Sequence, residues 1–138
     1  MANTVARETL SAEAAKKLIA AAEKKAQELK KAMVIAICDE SGNLKAFSRM
    51  DNAPLISVQI AQDKAWTAIG FGIATHQWYE FIKGDPPLLA GIVHTPRLVV
   101  FGGGYPISIG GQVVGGIGVS GGHYTEDMQV AEAAIKAL

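Results

Sequence analysis

GGIGVSGGHYTEDMQ, residues 115 to 129, carries two overlapping signatures, and the choice between them decides the fold. Gly118-Val119-Ser120-Gly121-Gly122 reads as G-x-S-x-G, the turn that raises a nucleophilic serine above a parallel sheet. Gly116-Ile117-Gly118-Val119-Ser120-Gly121 reads as G-x-G-x-x-G, the dinucleotide fingerprint. The serine turn has its partners in the order serine, acid, histidine, whereas here His123 precedes Asp127. The dinucleotide turn needs a helix, a second strand and an acidic residue about 20 positions on; this sequence has 17 residues after Gly121. Ten of the fifteen glycines fall between 102 and 122, so short glycine patterns arise there from composition alone. What remains is a strand that runs into glycines and then a helix. Its backbone N–H groups could cradle an anion, in competition with Glu126 and Asp127 at the same positive helix end. Equally, the glycines could admit a closely approaching backbone.

Working outward, QVVGGIGVSGG forms one strand, and Gly110-Gly111 joins it to YPISIGG as a two-residue hairpin. RLVVFGGG, starting at Arg97, reads as a further strand before it. TEDMQVAEAAIKAL closes the sequence as a helix. Upstream, residues 11 to 32 repeat Ala15, Leu18, Ile19, Ala22, Ala26 and Leu29 at helical spacing, with Ser11 as the N-cap. MVIAICDESGNLKAFSRM is a hairpin turning at Asp39–Asn43. SVQIAQDKAWTAIGFGI is a second helix, with Ile60, Ala61, Lys64, Ala65 and Ala68 on one stripe and Pro54 just ahead. A short helix over 75 to 83 stops at Gly84, and Pro86-Pro87 prevents its continuation. The order α-β-β-α-(short α)-β-β-β-α predicts one α+β domain over residues 1–138, with a largely antiparallel sheet flanked by helices.

Lys+Arg and Asp+Glu both number 13, and 49% of the residues are hydrophobic. A neutral chain of this kind offers no electrostatic footprint for nucleic acid or an anionic membrane. No signal peptide is evident and the apolar runs are too short to span a bilayer, so a cytoplasmic protein is expected. Cys38, the single cysteine, sits in the apolar run MVIAIC and is expected to be buried.

The three histidines, His76, His94 and His123, lack the short spacing of a helical metal site, so no metal-ligand set is expected. A histidine near a pocket could still serve as a general base or a haem ligand, and His123 stands beside the glycine turn. Arg49, in Arg49-Met50-Asp51, has the planar fork that binds a carboxylate, or it pairs internally. Trp78, Tyr79 and Phe81 lie on the irregular connector, where they could wall the pocket of a planar ligand or fill the core.

These pieces together resemble the GlcG/HbpS family, haem-degrading or haem-binding-like proteins related to the PduO C-terminal domain. The resemblance rests on Asp39, Gly42, Leu44, Arg49-Met50-Asp51 with Ala53, and on Ser57, Ala61, Lys64-Ala65 and Thr67-Ala68. It continues through Gly103-Gly104-Tyr105-Pro106-Ile107 and Val114 to Gly122, ending at Asp127. It implies a profilin-like fold with a five-stranded antiparallel sheet, a homo-oligomer, and haem as cofactor; many such proteins accompany catabolic gene clusters. On that reading the chain binds a small planar, carboxylate-bearing ligand through Arg49, Trp78, Tyr105, Ser120, Gly121, Gly122 and His123. The alternative is a small catabolic enzyme, a dehalogenase-like hydrolase or a lyase acting on an aromatic or short-chain carboxylic acid. There Arg49 would bind the carboxylate and His123 or His76 would act as base.

Overall fold

Ser11 opens the chain's first helix as expected, its hydroxyl accepting the Ala14 N–H at 3.0 Å. In the computed structural model, which describes residues 2–138, the elements run α1 (Ala12–Glu28), β1 (Val34–Asp39), β2 (Leu44–Arg49), α2 (Ser57–Phe71), α3 (Gln77–Ile82), α4 (Pro86–Gly91), a 3₁₀ turn (Ile92–His94), β3 (Gly104–Ile109), β4 (Gln112–Ser120) and α5 (Tyr124–Lys136). The strands form one sheet in the order β2-β1-β4-β3, and every neighbouring pair is antiparallel. The two central strands, β1 and β4, pair from Val34↔Ser120 to Asp39↔Gly115.

Strand alternation sends successive residues to opposite faces of the sheet. Ile35 and Ile37 of β1 and Ile117 and Val119 of β4 pack with Leu18, Ala22, Val130 and Ala134 of α1 and α5 in the main core. Val34 and Ala36 pack on the other side with Ala61 of α2. On that side β4 presents Gly116, Gly118 and Ser120, and α2 lies directly on the strand. A Cβ at Gly118 would collide with the Ala61 carbonyl, and one at Gly116 would stand 2.8 Å from the Ala65 carbonyl. The glycine run is therefore a helix seat. Close backbone approach, one of the two readings open in the sequence, is what it serves.

Among the described residues the sheet has four strands, not five. Leu98-Val99-Val100 lies outside the sheet: Thr67 of α2 donates its hydroxyl to the Arg97 carbonyl at 2.9 Å and accepts the Val99 N–H at 3.0 Å. A side chain on the helix thus satisfies the backbone that a neighbouring strand would otherwise use. β3 is consequently an edge strand, which suits Pro106 at its centre. Pro86-Pro87 does end the short helix, but it also starts α4, with Asp85 as N-cap accepting the Leu88 N–H at 3.2 Å. The predicted Gly110-Gly111 hairpin is present, both glycines having left-handed φ, +59° and +80°.

Candidate functional site

The turn from β4 into α5 is held from beneath by a buried charge. Lys64, on the α2 stripe that faces β4, is fully buried. Its Nζ donates to the Val119 carbonyl and to Asp127 Oδ2, both at 2.8 Å. Asp127 accepts the Gly122 N–H through Oδ1 at 3.0 Å. Burial pushes the Asp127 carboxyl above its ordinary range, opposed by the Lys64 charge and by its hydrogen bonds. Burial likewise pulls the Lys64 ammonium down, opposed by Asp127. The ammonium also lies 5.0 Å from the centre of the Phe101 ring.

His123 is the N-cap of α5. Its Nδ1 accepts the Thr125 N–H at 3.3 Å, and Glu126 reaches back to the His123 N–H at 2.9 Å, completing a capping box. Two N–H groups of the turn, those of Gly122 and His123, are thus taken by the chain's own carboxylates. Ser120 is buried, and its hydroxyl donates to the Ser57 hydroxyl at 2.9 Å rather than to an imidazole. Ser120, Gly121, Gly122 and His123 line one open cleft of about 350 Å³ with Pro54, Ile56, Phe101 and Tyr124.

A second cleft, of about 380 Å³, adjoins it. His76, Tyr79, Glu80, Val100, Phe101, Gly102 and Tyr124 line it, so Phe101 and Tyr124 belong to both clefts. His76 stands just before α3 without capping that helix. The preceding Thr75 fixes its position: Thr75 N–H donates to the Gly104 carbonyl and Thr75 Oγ1 accepts the Gly104 N–H, each at 2.9 Å. The Nδ1 atom of His76 is buried without a hydrogen-bond partner.

The other expected site residues lie elsewhere. Arg49 lines neither cleft: its Nε and Nη2 both donate to the Ala53 carbonyl, at 3.3 and 2.8 Å, and brace the turn that leads to Pro54. Tyr105, on β3, donates its hydroxyl to Glu132 at 2.8 Å, and its ring centre is 5.5 Å from that of His76. Burial, with the Glu132 carboxylate beside it, raises its phenol well above the usual range. Trp78 is buried and lines neither cleft, stacked on Phe81 and tilted against Phe71. His94 lies in the 3₁₀ turn and lines neither cleft. Lys64, Phe101 and Tyr124 are the site residues that spacing alone did not single out. A lysine on the apolar stripe of α2 was the available signal, since a buried lysine needs a buried partner.

A comparison with known families assigns residues 10–136 to the group described as haem degrading protein, HbpS-like. The chain belongs to the HbpS-like family. This HbpS-like chain is 37% identical over 131 residues to the corrinoid adenosyltransferase PduO of Citrobacter freundii, covering 94% of its own length and 39% of PduO. It superposes on the Klebsiella pneumoniae protein ORFY with a TM-score of 0.91 at 33% identity, covering 99% of this chain and 95% of that one. A PduOC:heme complex superposes with a TM-score of 0.86 at 36% identity, covering 94% and 95%. The resemblance carried by the Arg-Met-Asp and glycine motifs therefore holds, and so does the α+β architecture it implied. Among the described residues no helix is long and apolar enough to cross a membrane.

Proposed function

We propose that this chain binds haem, or a similar planar tetrapyrrole, in the groove made by the two adjoining clefts, with His76 as the donor to iron. The observation that carries the reading is the His76 imidazole: it lines the groove, and its buried Nδ1 has no partner. A histidine serving the fold alone would normally have that nitrogen satisfied. The kinship with a protein crystallised as a heme complex supports the ligand class. The groove supports it as well, each cleft falling within the size range of small-molecule sites, with Tyr79, Phe101 and Tyr124 as aromatic walls.

Bound haem supplies an iron centre for ligand exchange and electron transfer; the chain supplies the donor and the walls. His123, at the other end of the groove, shapes the turn with an imidazole already committed through Nδ1. Arg49 holds the Ala53–Pro54 wall and acts on the ligand through it. Leu55 and Ile56, 77% and 71% exposed beside the first cleft, are read as contacts to a second copy in a homo-oligomer. A cytoplasmic location belongs to the same reading.

A haemin titration followed in the Soret region tests the assignment. A saturable, shifted band is expected, with affinity reduced about tenfold or more in His76→Ala and less than about threefold in His123→Ala. No band beyond that of free haemin would overturn haem binding. An unchanged affinity in His76→Ala would overturn the choice of donor.

A further inference from the structure

A carboxylate that enters the groove loses its water and needs a cation or unused N–H groups in return. Among the described residues, neither cleft is lined by a lysine or an arginine. Lys64 is fully buried and spends its ammonium on the Val119 carbonyl and on Asp127. Arg49 is tied to the Ala53 carbonyl. Lys83 is paired with Glu80 at 2.6 Å, and Lys31 with Glu126 at 3.7 Å.

The helix starts do not replace these cations. Two helices begin at the groove, α2 at Ser57 and α5 at Tyr124. A helix start attracts an anion through its unused N–H groups. Here the Gly122 and His123 N–H groups go to Asp127 and Glu126, and those of Ser57 and Val58 to the Pro54 and Leu55 carbonyls. Glu80 adds a repulsion. It follows His76 by four positions, which places both on one side of α3, and both line the second cleft. Apolar surface, by contrast, is plentiful in the first cleft, from Pro54, Ile56, Ile60 and Phe101.

We infer that the groove takes a tetrapyrrole by its uncharged edge. That edge packs in the first cleft against Pro54, Ile56, Ile60 and Phe101, His76 serves as donor in the second, and the propionates stay in water. The groove thereby selects porphyrins whose acids are gathered on one edge, as in haem. It rejects those with a propionate on each pyrrole, such as iron(III) coproporphyrin III, in which propionates replace the two vinyl groups. The inference rests on the haem reading of this groove and adds to it the orientation of the ligand and the basis of its choice.

Soret titrations of the unaltered protein with haemin, haemin dimethyl ester and iron(III) coproporphyrin III test it. The ester is expected to bind within about threefold of haemin, because the acids it masks lie in water. Iron coproporphyrin should bind about tenfold or more weakly, because one of its acids must enter the first cleft. Ile60→Lys, which places a cation there, should narrow the gap between iron coproporphyrin and haemin to about threefold. Equal affinities for haemin and iron coproporphyrin, or a tenfold loss with the ester, would overturn the orientation while leaving haem binding in place. An unchanged gap in Ile60→Lys would overturn the seating of the uncharged edge in the first cleft. No shifted band with any of the three would overturn haem binding and this inference together. The comparison of ligands needs no variant to fold.

Discussion

Lys64 joins three parts of the chain through one ammonium: its own helix, the Val119 carbonyl near the end of β4 and the first turn of α5. Its charge is far from water, so removing either partner strands the other. Lys64→Met or Asp127→Asn alone should cost about 3–5 kcal/mol in urea unfolding, and the double substitution clearly less than their sum. Additive losses would mean that the two groups do not act as a pair. Cys38 gives a titratable counterpart. Burial raises its thiol from 9.0 to about 11, so between those pH values the folded chain keeps a proton that the unfolded chain has lost. The folded-state pKa being the higher, stability is complete below pH 9 and falls as pH rises through 11. Relative to Cys38→Ala, the natural protein should lose about 2 kcal/mol between pH 8.5 and 11, read from urea midpoints at each pH. At this scale the sequence was partly legible. Cys38 announced its burial by its apolar neighbours and Lys64 stood on the right stripe, but the partner, 63 positions away, had no local signature.

The small face of β4 shows what an element asks of its residues. Gly116, Gly118 and Ser120 alternate with Ile117 and Val119, so one side of the strand is a bulky core wall and the other nearly bare backbone. Gly118→Ala should lower stability by about 3 kcal/mol or more in denaturant unfolding, because the added methyl meets a helix carbonyl that no rotamer change can move. Gly110→Ala, at a left-handed turn position with open space around it, should cost only about 1 kcal/mol. Equal losses would contradict the seating of α2 on β4. The helices and hairpins were legible because their periods, caps and turn residues are local. The supernumerary strand arose because Leu98-Val99-Val100 has the composition of a strand, while the decisive bond, to Thr67, comes from a helix thirty residues earlier. Pro106 carried the opposing signal: a central proline marks a strand with a free edge.

Across the whole molecule, α2 covers one face of the sheet and α1 with α5 the other. The groove forms where the loops before β3, the start of α3 and the start of α5 meet, which brings His76, Phe101 and Tyr124 together. The family motifs found the scaffold and the turn below the groove. The proposed donor, His76, falls outside those motifs, in the irregular connector where binding residues tend to sit. That division explains why the resemblance pointed to haem as a ligand class, while the contacts proposed for it rest on the groove, which the sequence did not mark.

The pairing of Val34 with Ser120 also bears on how the chain is made. β1 is the first of the strands to emerge and finds β2 at once, yet its other edge must wait until more than seventy further residues have been synthesised. Until then a strand of Val, Ile and Ala lies open on a nascent chain, its hydrogen-bonding groups available to any passing strand. The glycine-rich segment that closes this edge is also the one that seats α2 and receives Lys64, so its arrival completes sheet, helix packing and buried charge in a single event. Closure of the sheet is thereby deferred until residues 112–120 have been synthesised, and a ribosome that stalls before residue 112 releases an aggregation-prone half-sheet.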